Sequence, residues 1–187
     1  MKNDDENIYQ KIVITGPVGV GKTTAIAAIS DNEILKTDVM ATDIALKKKG
    51  HGHTTIAMDY GYIRLDDGSR VDLYGTPGQE RFDFMWDILL RGGLGLVILI
   101  DDSRPNPLSD LAFFLKAFDN FIQSAPFVVG ITKMDMSKNR DISRYHEFVN
   151  QSRSQKIPIM EVDARRAIDI KTLILSLLFY IDPSLET

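Results

Sequence analysis

The sequence predicts an α/β fold, a central mostly parallel sheet of about six strands with one antiparallel strand, layered between helices. Three observations predict it. Strand-type and helix-type segments alternate along the chain, as parallel strands joined by helical crossovers require. Leu94–Ile100 is a continuous apolar run, the pattern of a strand buried on both faces. The glycine-rich stretch Gly16-Pro17-Val18-Gly19-Val20-Gly21-Lys22-Thr23 lies between the β-type run Ile12-Val13-Ile14 and the helix-forming run Ala25-Ile26-Ala27-Ala28-Ile29.

Each element has its own signal. The first strand covers about Ile8–Thr15, and the first helix follows Lys22. Ser30 to His53 is polar and irregular, and reads as a loop that is partly helical at most. Thr55–Leu65 and Val71–Tyr74 flank Asp66-Asp67-Gly68, and Asp-Gly between strand-type runs signals a hairpin. A helix is expected over Glu80–Leu90, ended by Gly92-Gly93. Leu108–Ile122 reads as helix, Phe127–Ile131 as strand, Asp141–Asn150 as helix and Ile157–Val162 as a short strand. Ala167–Ile181 has apolar residues at helical spacing. No repeat or linker divides the 187 residues, which suit a single domain over 1–187.

Composition narrows the function classes. Hydrophobic content of 44% and charged content of 26% are ordinary globular values. A net charge of −4 argues against a general affinity for nucleic acid or anionic membrane, and Lys47-Lys48-Lys49 is too short to reverse that. With no cysteine there is no disulfide, zinc-thiolate site or prenyl or palmitoyl anchor. The polar start, Lys2-Asn3-Asp4-Asp5-Glu6, is unlike a signal peptide, and no apolar run is long enough to span a bilayer. A cytoplasmic protein without a direct membrane anchor is expected.

The glycine-rich stretch matches G-x-x-x-x-G-K-[ST] without mismatch, in the strand–loop–helix setting that gives the pattern its mechanism. Inward-pointing backbone N–H groups cradle phosphate oxygens, and the helix N-terminus adds positive potential. Lys22 is expected at the β- and γ-phosphates, and the Thr23 hydroxyl at Mg²⁺.

Four further stretches occur in a fixed order. They are Thr55-Ile56-Ala57-Met58-Asp59-Tyr60-Gly61; Gly75-Thr76-Pro77-Gly78-Gln79-Glu80-Arg81-Phe82; Thr132-Lys133-Met134-Asp135; and Asp163-Ala164-Arg165. Together they resemble Ras- and Rab-like small GTPases, whose corresponding motifs read T-I-G-V-D-F, D-T-A-G-Q-E-R-F, N-K-x-D and S-A-K. The wording is most similar to prokaryotic MglA-like and conservon-type GTPases. The resemblance implies the Ras-like, three-layer form of the P-loop NTPase fold. It implies a nucleotide site of Gly16, Val18, Gly19, Val20, Gly21, Lys22, Thr23, Thr24, Gly78, Thr132, Lys133, Asp135, Asp163, Ala164 and Arg165, with GTP/GDP and Mg²⁺ as ligands. Thr23 and Thr55 are the implied metal ligands, with Thr54 a close rival to Thr55. Lys22 and Gln79 are the implied catalytic residues, Gln79 orienting the attacking water.

Guanine selection follows from chemistry. An ionised Asp135 only accepts hydrogen bonds, so it suits the adjacent N1–H and amine of guanine. Adenine would leave it facing lone pairs, at a cost of roughly 1–3 kcal/mol for a buried unpaired group. Lys133 is expected to lay its stem along the base. By analogy with the family, the Ala164 N–H would meet guanine O6.

Three positions depart from the pattern. Gly75 stands where the family has Asp, so weaker Mg²⁺ affinity is expected. Asp72 supplies a literal D-x-x-G three residues earlier, but is expected to be an edge-strand surface carboxylate. Val18 adds a side chain beside the γ-phosphate, so hydrolysis is expected to be slow. Thr132 replaces Asn, with fewer hydrogen-bonding groups.

The expected function is a GTP-hydrolysing switch; the alternative is a module that binds GTP or GDP with little or no hydrolysis. Arg81 and Arg64 are candidate arginine fingers, though surface roles also suit them, and His51 and His53 fall in the first switch loop. Phe82, Phe84, Met85 and Trp86 cannot all face one side of a helix, so some are expected to be exposed at a partner site. The resemblance implies a roadblock/longin-type dimer as that partner.

Overall fold

A computed structural model describes residues 10–40, 55–65, 68–78, 83–152 and 156–181, with backbone alone at 36–40, 55–57, 83–84 and 152. Its strands are β1 (Gln10–Thr15), β2 (Leu35–Met40), β3 (Thr55–Arg64), β4 (Arg70–Gly75), β5 (Gly95–Asp101), β6 (Phe127–Thr132) and β7 (Ile159–Glu161). Its helices are α1 (Lys22–Ile29), α2 (Asp83–Leu90), α3 (Pro107–Ala117), α4 (Asp119–Ile122), α5 (Ser143–Ser152) and α6 (Ala167–Ile181). The sheet order is β2-β3-β4-β1-β5-β6-β7. β3 runs antiparallel to both its neighbours, and every other pairing is parallel.

Helices cover both faces, giving three layers. On one side Ile12, Ile14, Leu73, Val97 and Leu99 pack against Ile26 of α1 and Leu173 and Leu177 of α6. On the other, Val13, Leu96, Ile98, Ile100 and Val129 meet Trp86, Leu111, Phe114 and Tyr145. Alternate residues of β5 feed the two cores, so all seven of its residues are buried. Trp86 stacks on Phe118 with ring centroids 4.9 Å apart, which pins α2 to the end of α3.

The hairpin, the central strands and the last helix form as the sequence predicts. Three features differ. Leu35–Met40, read as loop, is an edge strand paired residue for residue with β3, from Leu35↔Tyr60 to Met40↔Thr55. The segment is too polar to look like a strand, and its partner ladder holds it. The long helix predicted after Leu108 is broken at Phe118, where φ is −102°. Asp72 is not at an edge: β4 lies between β3 and β1, and the buried carboxylate accepts hydrogen bonds from Arg70 Nε (2.7 Å) and the Tyr60 hydroxyl (3.0 Å).

β1, β5, β6 and β7 end side by side. The loops after their carboxyl ends therefore converge, where open α/β sheets place their ligands.

Candidate functional site

The loop after β1 is shaped by its glycines. Gly16 has φ +143°, and a Cβ there would stand 2.2 Å from the Leu99 carbonyl oxygen, so no other residue fits. Lys22, at the start of α1, is buried and donates to the carbonyls of Gly16 (2.8 Å) and Pro17 (3.0 Å). Burial lowers its pKa to about 8, against the opposing pull of the Asp59 carboxylate. The loop after β4 is fastened alongside. Thr76 N donates to Ile14 O at 2.9 Å, and the Thr15 and Thr76 hydroxyls are 2.8 Å apart. Gly78 then crosses so closely that a Cβ would lie 2.7 Å from Lys22 Nζ and 2.9 Å from Val18 N.

Asp59 is a site residue that sequence reasoning passed over. It lies on β3 opposite Gly75, and its Oδ2 accepts a 2.5 Å hydrogen bond from the Thr23 hydroxyl. A Cβ at Gly75 would come within 3.1 Å of Asp59 Cβ and 3.3 Å of Oδ2. A carboxylate at position 75 would crowd the one already present. Thr23 and Asp59 thus offer adjacent hard oxygen donors, the set a Mg²⁺ ion takes. The available signal was Asp59 itself, inside a quoted motif but with no role attached to it.

Beyond the phosphate loop a cavity of about 690 Å³ opens, a size usual for small-molecule sites. Its lining brings together Gly19, Val20, Gly21 and Thr24 from the first loop, Thr132, Lys133 and Asp135 from the loop after β6, and Asp163, Ala164 and Arg165 from the loop after β7. Lys133 adopts a left-handed backbone, φ 56°, and its ammonium donates to Gly19 O (2.9 Å) and Asp101 Oδ2 (2.6 Å). The Thr132 hydroxyl lies within hydrogen-bonding reach of Val20 O (3.2 Å) and Ile100 O (3.3 Å). At the rim, hydrogen bonds from Arg165 hold the Asp163 carboxyl at a pKa of about 2. Asp135 is exposed on the short 3-10 turn Met134–Met136, free to meet a planar ligand.

Other sequence candidates fall elsewhere. Thr55 opens β3 four residues from Asp59, roughly 13 Å along the strand from it at the usual rise. Arg64 ends the same strand in the other direction and lies over the Tyr62 ring, remote from the phosphate loop. Val18 is exposed at the loop tip. Met85 and Trp86 are buried, whereas Ile88 is exposed on α2. Gln79, Arg81, Phe82, Thr54, His51 and His53 lie outside the described residues, as does the Phe84 side chain. No helix among the described residues is long and apolar enough to cross a membrane.

Comparison with known proteins agrees with this architecture. A family described as "Conserved hypothetical ATP binding protein" matches residues 29–179. An uncharacterized protein of Methanocaldococcus jannaschii is 28% identical over 150 residues, 80% of this chain and 83% of that protein. The Ras-related protein RabC of Dictyostelium discoideum is 21% identical over 167 residues, 86% of this chain and 78% of that protein. The Ras-related protein Rab-12 of Mus musculus is 25% identical over 135 residues, 72% of this chain but 51% of the longer Rab. The similarity to the Ras-related proteins supports a P-loop NTPase of the Ras-like α/β type.

Proposed function

The chain belongs to the conserved hypothetical ATP-binding protein family, and within that nucleotide-binding frame we propose, from the residues of its cavity, that it is a guanine-nucleotide switch that binds GTP and hydrolyses it slowly to GDP. The observation that carries the reading is the convergence of the phosphate loop, Lys133 with Asp135, and Asp163 to Arg165 on one cavity. On this reading Lys22, which donates to the carbonyls of Gly16 and Pro17, exchanges those partners for phosphate oxygens when nucleotide binds. Asp135 supplies the acceptor-only group that favours guanine over adenine. Thr23 and Asp59 fit Mg²⁺, which when bound offsets phosphate charge. Gln79, next to Gly78, orients the attacking water, with Lys22 stabilising the charge that develops on the phosphates.

The two switch segments follow Gly78 and precede β3 in the sequence, and α2 with its exposed Ile88 is the surface for a protein partner. The resemblance of the Gly75–Phe82 stretch, with Met85-Trp86-Asp87, to conservon-type GTPases favours a roadblock/longin-type dimer there. Val18 at the loop tip accords with slow turnover.

Single-turnover hydrolysis of GTP with Mg²⁺ tests the reading, wild type against Gln79→Leu. Slow turnover abolished by the substitution is expected. GTP binding without turnover in either protein would favour a binding module, and stronger binding of ATP than GTP would overturn the guanine assignment.

A further inference from the structure

Thr132 leaves the base loop with a single hydroxyl to tie it to the phosphate loop, where the resemblance leads one to expect an amide. A second tie exists. Asp101 is the last residue of β5, level with Thr132 on β6, and its side chain is buried. Its Oδ1 accepts two hydrogen bonds from Ser103, from N at 3.0 Å and from Oγ at 2.6 Å. That fixes the carboxylate plane and turns Oδ2 to the Lys133 ammonium at 2.6 Å. The same ammonium reaches Gly19 O at 2.9 Å. A chain of contacts, Ser103–Asp101–Lys133–Gly19, therefore joins the end of β5 to the loops that form both ends of the cavity. Burial pushes the Asp101 carboxyl up, but the hydrogen bonds from Lys133 and Ser103 outweigh it, and it sits below the usual carboxylate range.

We infer that Asp101 is a positioning residue of the nucleotide site, holding Lys133 against Gly19 so that the phosphate loop and the base loop grip one ligand together. The inference rests on the reading of this cavity as a guanine-nucleotide site. Lys133 has a backbone conformation that few side chains adopt, and it has two alternative destinations, solvent or the cavity. The carboxylate decides between them. An amide at 101 would still accept from Ser103, but would then turn its NH₂ toward the ammonium, donor against donor. The neighbouring Asp102 faces the opposite side and holds Arg144 and Tyr145, so it serves as an internal control.

The test is the release rate of a fluorescent GDP analogue from wild type, Asp101→Asn, Lys133→Met, the double variant and Asp102→Asn, each with its nucleotide-free melting temperature. Loss of a charge-assisted contact predicts release about tenfold faster for each of the first two variants. The double variant should release no faster than the faster single one, because both changes remove the same tie. Asp102→Asn should leave release unchanged. If the amide prevents folding, Asp101→Ser enters the same cycle. Additive effects of Asp101→Asn and Lys133→Met, unchanged release from Asp101→Asn, or equal acceleration from Asp102→Asn would each overturn the inference while leaving the functional reading intact. Failure of the wild type to bind GDP would overturn both.

Discussion

The Thr23 hydroxyl and the Asp59 carboxylate meet at 2.5 Å, from the start of α1 and the middle of β3. Asp59 stands level with Gly75, across the β3–β4 ladder. The acidic group that the motif lacks at position 75 is thus supplied from the adjacent strand, into the space that the missing side chain leaves.

Asp59→Asn should therefore weaken Mg²⁺-dependent nucleotide binding about ten- to a hundredfold while leaving binding in chelator little changed. Titration of GDP with and without Mg²⁺ measures this. Gly75→Asp alone should also weaken Mg²⁺ use, because a Cβ at 75 already crowds Asp59 Oδ2 at 3.3 Å and a second carboxylate would add like-charge repulsion. Combined with Asp59→Ala, the same Gly75→Asp should recover part of the loss. Equal Mg²⁺ dependence in wild type and Asp59→Asn would remove Asp59 from the metal site.

Base choice is assigned to Asp135, exposed on its turn at the cavity wall. Asp135→Asn replaces an acceptor-only group with one that also donates. GTP affinity should fall by at least about tenfold, and the ratio of GTP to ATP affinity should fall with it. Competition between the two nucleotides in wild type and variant reads the ratio directly; an unchanged ratio would sink the assignment.

The layered fold was legible because the strong signals are local. The apolar run of β5 and the helical spacing of Ala167–Ile181 each report burial along one chain segment, and the Asp-Gly pair before β4 reports a chain reversal. β2 was not legible, because Lys36 and Asp38 look like loop residues and the strand exists through pairing with β3. The glycine-rich loop after β1 and most of the cavity lining were legible as motifs in the sequence. Asp59 and Asp101 were not, since each acts on a residue of another element, Thr23 and Lys133 in turn. Register between strands carries that information, and spacing along one sequence does not.

Lys22 gives the site a pH dependence. Burial first of all lowers its pKa from 10.5 to about 8, so the free protein loses the proton in a range where the unfolded chain keeps it. The unfolded state then binds more protons between about pH 8 and 10.5, and this group's contribution to stability rises with pH across that window. Ligand binding has the opposite sign, since phosphate oxygens favour the charged ammonium. Affinity for GDP should be flat below pH 8 and decline above it, by up to about tenfold per pH unit. Isothermal titration at several pH values, with Lys22→Arg as the reference that keeps its charge, isolates the effect. Parallel pH profiles for the two proteins would show that Lys22 stays protonated in the free site.

The buried cluster behind the base loop sets stability more than binding. The Asp102 side chain is wholly buried, and it bonds Arg144 and the Tyr145 hydroxyl of α5. Burial and the Asp102 carboxylate raise the Tyr145 hydroxyl pKa, so the phenol stays a donor at every physiological pH. Asp102 Oδ2 and Arg144 Nε have no hydrogen-bond partner among the described residues, so the cluster is only partly satisfied. Breaking such a pair costs more than replacing it, because the surviving charge keeps its desolvation penalty. Arg144→Ala should destabilise by about 3 kcal/mol, the low end for a buried pair, since the guanidinium is itself partly exposed. Asp102→Leu together with Arg144→Leu should be far less damaging than Arg144→Ala alone. Urea unfolding of the nucleotide-free proteins orders the three; a double replacement as unstable as the single one would mean that the ion pair contributes net stability, and that packing at β5 and α5 depends on it.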